Sequence, residues 1–138
     1  MHFIPVARYP PLLKAYKSFA GAWVKSQDES GLWHQLMDDP TTFLSTTATA
    51  FGLHALATGV AMGALPAETF AGPVAAAWRA LAAEVQDDGY VTNMSPGFGI
   101  LGTRAECVTN ATPPQCLIMS SVLRRVRWQL VLTLLPAA

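Results

Sequence analysis

The run Gly31-Leu32-Trp33-His34-Gln35-Leu36-Met37-Asp38-Asp39-Pro40-Thr41-Thr42-Phe43-Leu44-Ser45-Thr46-Thr47-Ala48-Thr49-Ala50 changes character at Ser45. Before that point it reads as an ordered loop. Gly31 closes the turn-forming Asp28-Glu29-Ser30, Pro40 blocks any long helix, and Trp33 and Phe43 are the apolar anchors. From Ser45 or Thr46, either of which can act as an N-cap, the pattern becomes an alanine- and threonine-rich helix that runs to about Met62 and stops at Gly63. Its small residues predict close packing on most sides.

Reading outward from this run, a first helix opens at Pro10 and Pro11, where a missing amide hydrogen costs nothing, and ends near Gln27. Leu12, Leu13, Tyr16, Ala20, Trp23 and Val24 recur at helical spacing and predict its apolar face. Downstream, a third helix is expected over about Pro73 to Val85, with Val74, Ala77, Trp78, Leu81 and Val85 as its stripe. Residues 93–114 read as loop, and a last helix is expected over 117–134. Two segments are alike: Gln27 to Trp33 after the first helix and Gln86 to Val91 after the third, each a Gln-Asp pair, an acidic turn, a glycine and apolar residues, offset by 59 positions (86 − 27). That offset fits a helical hairpin used more than once, or two independent helix C-termini built from common turn residues.

Composition agrees with a packed helical chain. Of 138 residues only 18 are charged, nine of each sign, while 51% are apolar and 22 are alanine. This excludes a disordered, charge-rich segment. A net charge of zero provides no overall field toward nucleic acid or anionic lipid, and neither is expected as a partner. No membrane span is expected either: the apolar stretch 117–135 carries Arg124, Arg125 and Arg127 near its centre, and residues 48–65 hold His54, two threonines and three glycines. Met1 to Pro11 shows no continuous apolar signal segment. Cys107 and Cys116 are too few for a disulfide framework. Two glycosylation sequons, at Asn93 and Asn110, leave the compartment undetermined.

The run 31–50 resembles the unsaturated uronyl hydrolases, glycoside hydrolase families 88 and 105, whose pattern is close to G-L-W-x-Q-x-x-D, a short loop, then (Y/F)-L-E-(S/T)-S-(A/C)-T-A-M. Gly59-Val60-Ala61-Met62-Gly63-Ala64-Leu65 is similar to that family's G-V-x-x-G-x-(L/I). Ala77-Trp78-Arg79-Ala80-Leu81 and Val85 to Val91 look like its A-W-x-x-L and V-x-x-D-G-x-V. Ser95-Pro96-Gly97-Phe98-Gly99-Ile100 looks like a glycine-rich loop where the family often has G-T-G. The resemblance covers about Leu12 to Gly102. It implies an all-α fold, part of an (α/α)6 barrel, with two to three of the six hairpins here and the remainder on the N-terminal side. Residues 1–102 are expected to form the partial barrel domain and 103–138 a divergent segment of loop plus one helix. Exposed barrel interior would offer a surface for self-association.

The resemblance also implies a chemistry. The family hydrates the C4=C5 double bond of an unsaturated uronic sugar, with an Asp that first protonates the vinyl ether and then helps water add. The partner it implies is an oligosaccharide bearing such a sugar; no cofactor or metal is implied. The family's catalytic Asp and its Trp-Ala-Arg-Gly-like motif precede the matched region, and neither motif occurs here, so no catalytic residue is assigned and the chain is expected to be inactive alone. Trp33, His34 and Gln35 are the candidate substrate-binding residues. Trp33 offers a flat face for a pyranose ring or anchors its loop in the interior; His34 and Gln35 offer hydrogen bonds to a sugar hydroxyl or carboxylate. His54 lacks any second ligand at metal spacing. Ser45 stands where the family usually has Glu, and Phe98 where it has a small residue. The rival expectation is a non-enzymatic helical module that binds sugar or protein.

Overall fold

A computed structural model describes residues 9–87 and 91–94. The expectations for the Gly97–Gly99 loop, the two cysteines, the helix over 117–134 and the segment 103–138 lie outside the described residues. Three helices follow one another: α1, Pro10–Lys25; α2, Thr46–Ala61; and α3, Ala67–Ala83. Among the described residues the only β-like pairings are two isolated antiparallel bridges, His34 with Leu44 and Val85 with Val91.

Helix α1 starts on its two prolines as expected, and Lys25 in its last turn suits the negative end of the helix dipole. Its apolar face is narrower in use than in sequence. Ala20 is fully buried, and Tyr16, Trp23 and Val24 pack against the core, but Leu12 is 55% exposed. Helix α2 is the centre of the fold. Ser45 caps it, its Oγ accepting the Ala48 amide at 3.2 Å, and Gly63 ends it with φ +68. The Ala64 and Leu65 amides both donate to the Gly59 carbonyl, which makes a tight turn into α3.

The packing of large α1 side chains against α2 depends on two glycines seven residues apart. A Cβ at Gly52 would collide with the Trp23 indole, and one at Gly59 with the Tyr16 hydroxyl and Leu65. Tyr16 and Trp23 are themselves seven apart, so large residues of α1 fill the places that α2 leaves open. The Tyr16 hydroxyl donates to the Ala55 carbonyl at 2.7 Å, and burial pushes its pKa up.

Helix α3 corrects one expectation. It begins at Ala67, with Pro66 as N-cap, and Pro73 lies inside it. The reason is the stripe Phe70, Val74, Ala77 and Leu81, all buried, which continues upstream through the proline. Pro73 removes one amide donor, the one that would reach the Thr69 carbonyl, at a cost of about 3 kcal/mol. Burying Phe70 returns about 1.5–3 kcal/mol, and the two turns before Pro73 contribute the remaining packing.

The two segments related by the 59-residue offset meet at one place in the fold, through positions that the offset does not pair. Trp33 and Thr92, and His34 and Asn93, are equivalent under that offset, and both segments end at the start of α2. The Ser45 amide donates to the Trp33 carbonyl at 2.8 Å and the Thr46 amide to the Asn93 carbonyl at 3.0 Å. The segments that follow α1 and α3 therefore meet at one end of the bundle.

Candidate functional site

That end is the N-terminus of α2, and its construction begins with the turn after α1. Gln27 Nε2 donates to the Gly31 carbonyl at 2.9 Å and to the Pro73 carbonyl of α3 at 3.1 Å. Gly31 has φ +91, and a Cβ there would stand 2.7 Å from the Ala76 carbonyl oxygen, so only glycine fits against α3. The turn is closed by Asp28, whose Oδ1 accepts the Ser30 amide at 2.9 Å. Hydrogen bonds from the Ser30 side chain and backbone hold the Asp28 carboxyl below the usual carboxylate range, with the nearby His34 adding to the effect. Thr41 does the same for exposed Asp39.

The three expected substrate-binding residues lie side by side on this loop, in different settings. Trp33 is fully buried. Its indole N–H donates to the Trp23 carbonyl at 2.7 Å, its backbone N–H to Thr49 Oγ1 at 3.0 Å, and its ring meets the Trp23 ring at a centroid distance of 6.0 Å. Of the two alternatives open from sequence, the arrangement is that of a loop anchor, since neither face of the indole reaches solvent. His34 is partly exposed. Its Nδ1 lies 2.6 Å from the Thr42 carbonyl and its Nε2 3.6 Å from Asp28 Oδ2. Gln35 is partly buried, and its backbone N–H donates to the Phe43 carbonyl at 2.9 Å. Phe43 is half-buried rather than part of the core.

Across the α2 N-terminus stands a second polar set. Thr46 Oγ1 donates to the Thr92 carbonyl at 2.8 Å. Asn93, in the left-handed region at φ 56, donates from Nδ2 to Glu84 at 2.7 Å, and Thr92 Oγ1 also donates to the Glu84 carboxylate. Ser45, Thr46 and Thr49 are buried and bonded, so they hold the loops in place. Sequence reading missed Asp28 and Thr42 as partners of His34; both looked like ordinary turn residues, and only the path of the loop brings them to the ring. Among the described residues no three His, Cys, Asp or Glu side chains could hold a metal ion, and no helix is long and apolar enough to cross a membrane.

Helices whose long connections gather around the start of a buried helix define an all-α hairpin fold with its polar loop residues at one end. The chain belongs to Glycosyl Hydrolase Family 88, whose family model matches residues 6–111, well over half of its length. It is similar to the unsaturated rhamnogalacturonyl hydrolase YesR of Bacillus subtilis (strain 168), at 32% identity over 81 residues, which is 58% of this chain and 21% of that protein. Among solved structures it is similar to a possible GH105 family member from Salmonella enterica serovar Paratyphi A, at 27% identity and a TM-score of 0.70, covering 89% of this chain and 33% of that one. A family 88 glycosyl hydrolase from Bacteroides vulgatus shares the fold at 20% identity, with a TM-score of 0.70 over 86% of this chain and 36% of its own. The fold is thus that of the six-hairpin helical barrels. The chain spans about a fifth of the length of its curated relative and about a third of these solved structures.

Proposed function

We propose that this chain forms one wall of the sugar cleft of a hydrolase acting on oligosaccharides that end in an unsaturated uronic acid, and that it does not turn over such a substrate by itself. The observation that carries the reading is the family match over residues 6–111, joined to a long loop that presents His34 and Gln35 beside the start of α2. In this reading Trp33 acts from beneath: buried and bonded to both α1 and α2, it sets the height and direction of the two polar residues that follow it. His34 and Gln35 are the groups that meet sugar.

Catalysis needs a carboxyl group that can serve as acid and then as base. Two carboxylates of the described loop, Asp28 and Asp39, are committed otherwise. Asp28 closes its turn and faces His34, and Asp39 closes the turn at Thr41; each has a lowered pKa, which disfavours the protonated form that a general acid must hold. The Trp-Ala-Arg-Gly-like motif of the family does not occur in the sequence. Incubating the purified chain with an unsaturated uronyl disaccharide, and following loss of the absorbance of its conjugated double bond, tests the second half of the proposal. No turnover above buffer is expected. Measurable turnover would mean that one of the carboxylates in this chain is catalytic after all.

A further inference from the structure

The hydrogen-bonding state of His34 follows from its neighbours. A carbonyl oxygen only accepts, so with Nδ1 2.6 Å from the Thr42 carbonyl the proton of the neutral ring sits on Nδ1. Nε2 is then an acceptor. It faces Asp28 Oδ2 at 3.6 Å, beyond direct hydrogen-bonding distance. The other Asp28 oxygen is already occupied by the Ser30 amide. Two acceptors thus stand side by side, and both side chains are open to solvent, at 14% for His34 and 32% for Asp28. They call for a ligand that brings two adjacent donors.

The surroundings sharpen this. Between Lys25 and Arg79 the sequence contains no Lys or Arg, while Asp28, Glu29, Asp38 and Asp39 all lie on or beside the loop. A carboxylate ligand carries only acceptors and would meet ionised Asp28 here, with no Lys or Arg among residues 26–78 to compensate it. A vicinal diol of a pyranose ring carries two adjacent hydroxyl donors, one for each acceptor. We infer that His34 Nε2 and Asp28 Oδ2 form a receiving pair for a vicinal diol of a sugar unit, and that the carboxylate of the uronic acid is bound away from this pair. The inference rests on the sugar-cleft reading above and assigns to Asp28 a ligand contact that its place in the turn conceals.

The test is a titration of the isotope-labelled chain, followed by the imidazole nitrogen resonances of His34. The probes are methyl β-D-glucopyranoside, its 2,3,4-tri-O-methyl derivative, which has lost the ring donors, and sodium acetate. The glucoside is expected to shift His34 Nε2, and the tri-O-methyl derivative and acetate to do so at least about tenfold more weakly, the scale of a hydrogen bond to a charged group. The Asp28→Asn variant is expected to bind the glucoside about tenfold more weakly for the same reason. Should that variant disturb the turn at Ser30, the three wild-type titrations decide alone. If acetate or the tri-O-methyl sugar shifts His34 as strongly as the glucoside, the diol pair is wrong. If sugar shifts other loop residues and leaves His34 untouched, the pair is wrong while the cleft reading stands. If no sugar shifts any resonance of the loop, both fail together.

Discussion

Helices α1 and α2 have the same length, 16 residues, and opposite relations between pattern and burial. In α1 large apolar residues recur at helical spacing with lysines elsewhere, yet Ala20 is its single fully buried residue. In α2 no one-sided pattern is visible, yet nine residues are buried, among them Thr46, Thr49, Gly52 and Gly59. A one-sided pattern reports that a helix has one neighbour, and its absence in an apolar helix reports several. Glycine and threonine in α2 are therefore not weak helix formers tolerated by chance. They are the residues small enough to let α1, the Trp33 loop and α3 close in together.

Trp33 offers the severest way to break this arrangement, because it bonds both helices. Trp33→Ala removes the largest fully buried side chain and both releases the Trp23 carbonyl and opens a cavity. It should cost about 3–5 kcal/mol, read as a shift in the midpoint of urea unfolding with an unchanged slope. A cost under about 1 kcal/mol would mean that the loop is an addition to the fold and not one of its supports.

A single type of substitution then separates the two helices by sign. At Gly52 a methyl group strikes the Trp23 ring, whereas at Gly21 of α1 nothing stands within 4 Å of it. Gly52→Ala should destabilise by about 1–3 kcal/mol through overpacking. Gly21→Ala should stabilise by up to about 1 kcal/mol through helix propensity. Equal effects at the two sites, measured by thermal unfolding, would dissolve the contrast between a crowded helix and an open one.

What the sequence disclosed follows the same division. The Ser45 cap, the Gly63 stop and the proline start of α1 are local signals, and each sits where local chemistry puts it. The start of α3 is not local. Pro73 looks like a first-turn proline, but the buried stripe reaches back to Phe70 with spacings of four, three and four residues. Extending that stripe one step upstream would have found the true start. At the site, sequence reading selected three consecutive residues and could not rank them. Burial separates Trp33 from its neighbours, and burial depends on Trp23 and Thr49, which lie 10 and 16 residues away. The partners of His34 depend in the same way on a loop that turns back on itself between the bridge residues His34 and Leu44.

The smallest expected effect lies on the outer shoulder of α1, where the pattern promises most and the structure uses least. Leu12 is 55% and Phe19 50% exposed, and with Ala15 and Ala22 they continue the apolar band around to a cleft of about 250 Å³ lined by Phe19, Trp23, Met37 and Asp38. If this shoulder contributes nothing within a single copy, Leu12→Gln should change the unfolding free energy by no more than about 0.5 kcal/mol, as for an ordinary surface site, and should leave the signal of the Trp33 core unaltered. The same substitution at Leu53, which is fully buried in α2, places an amide where no water reaches and carries the full penalty of a buried polar group. A large loss at Leu12, rising with protein concentration, would show that the shoulder is covered after all and that α1 owes its stability to a neighbour outside the described fold.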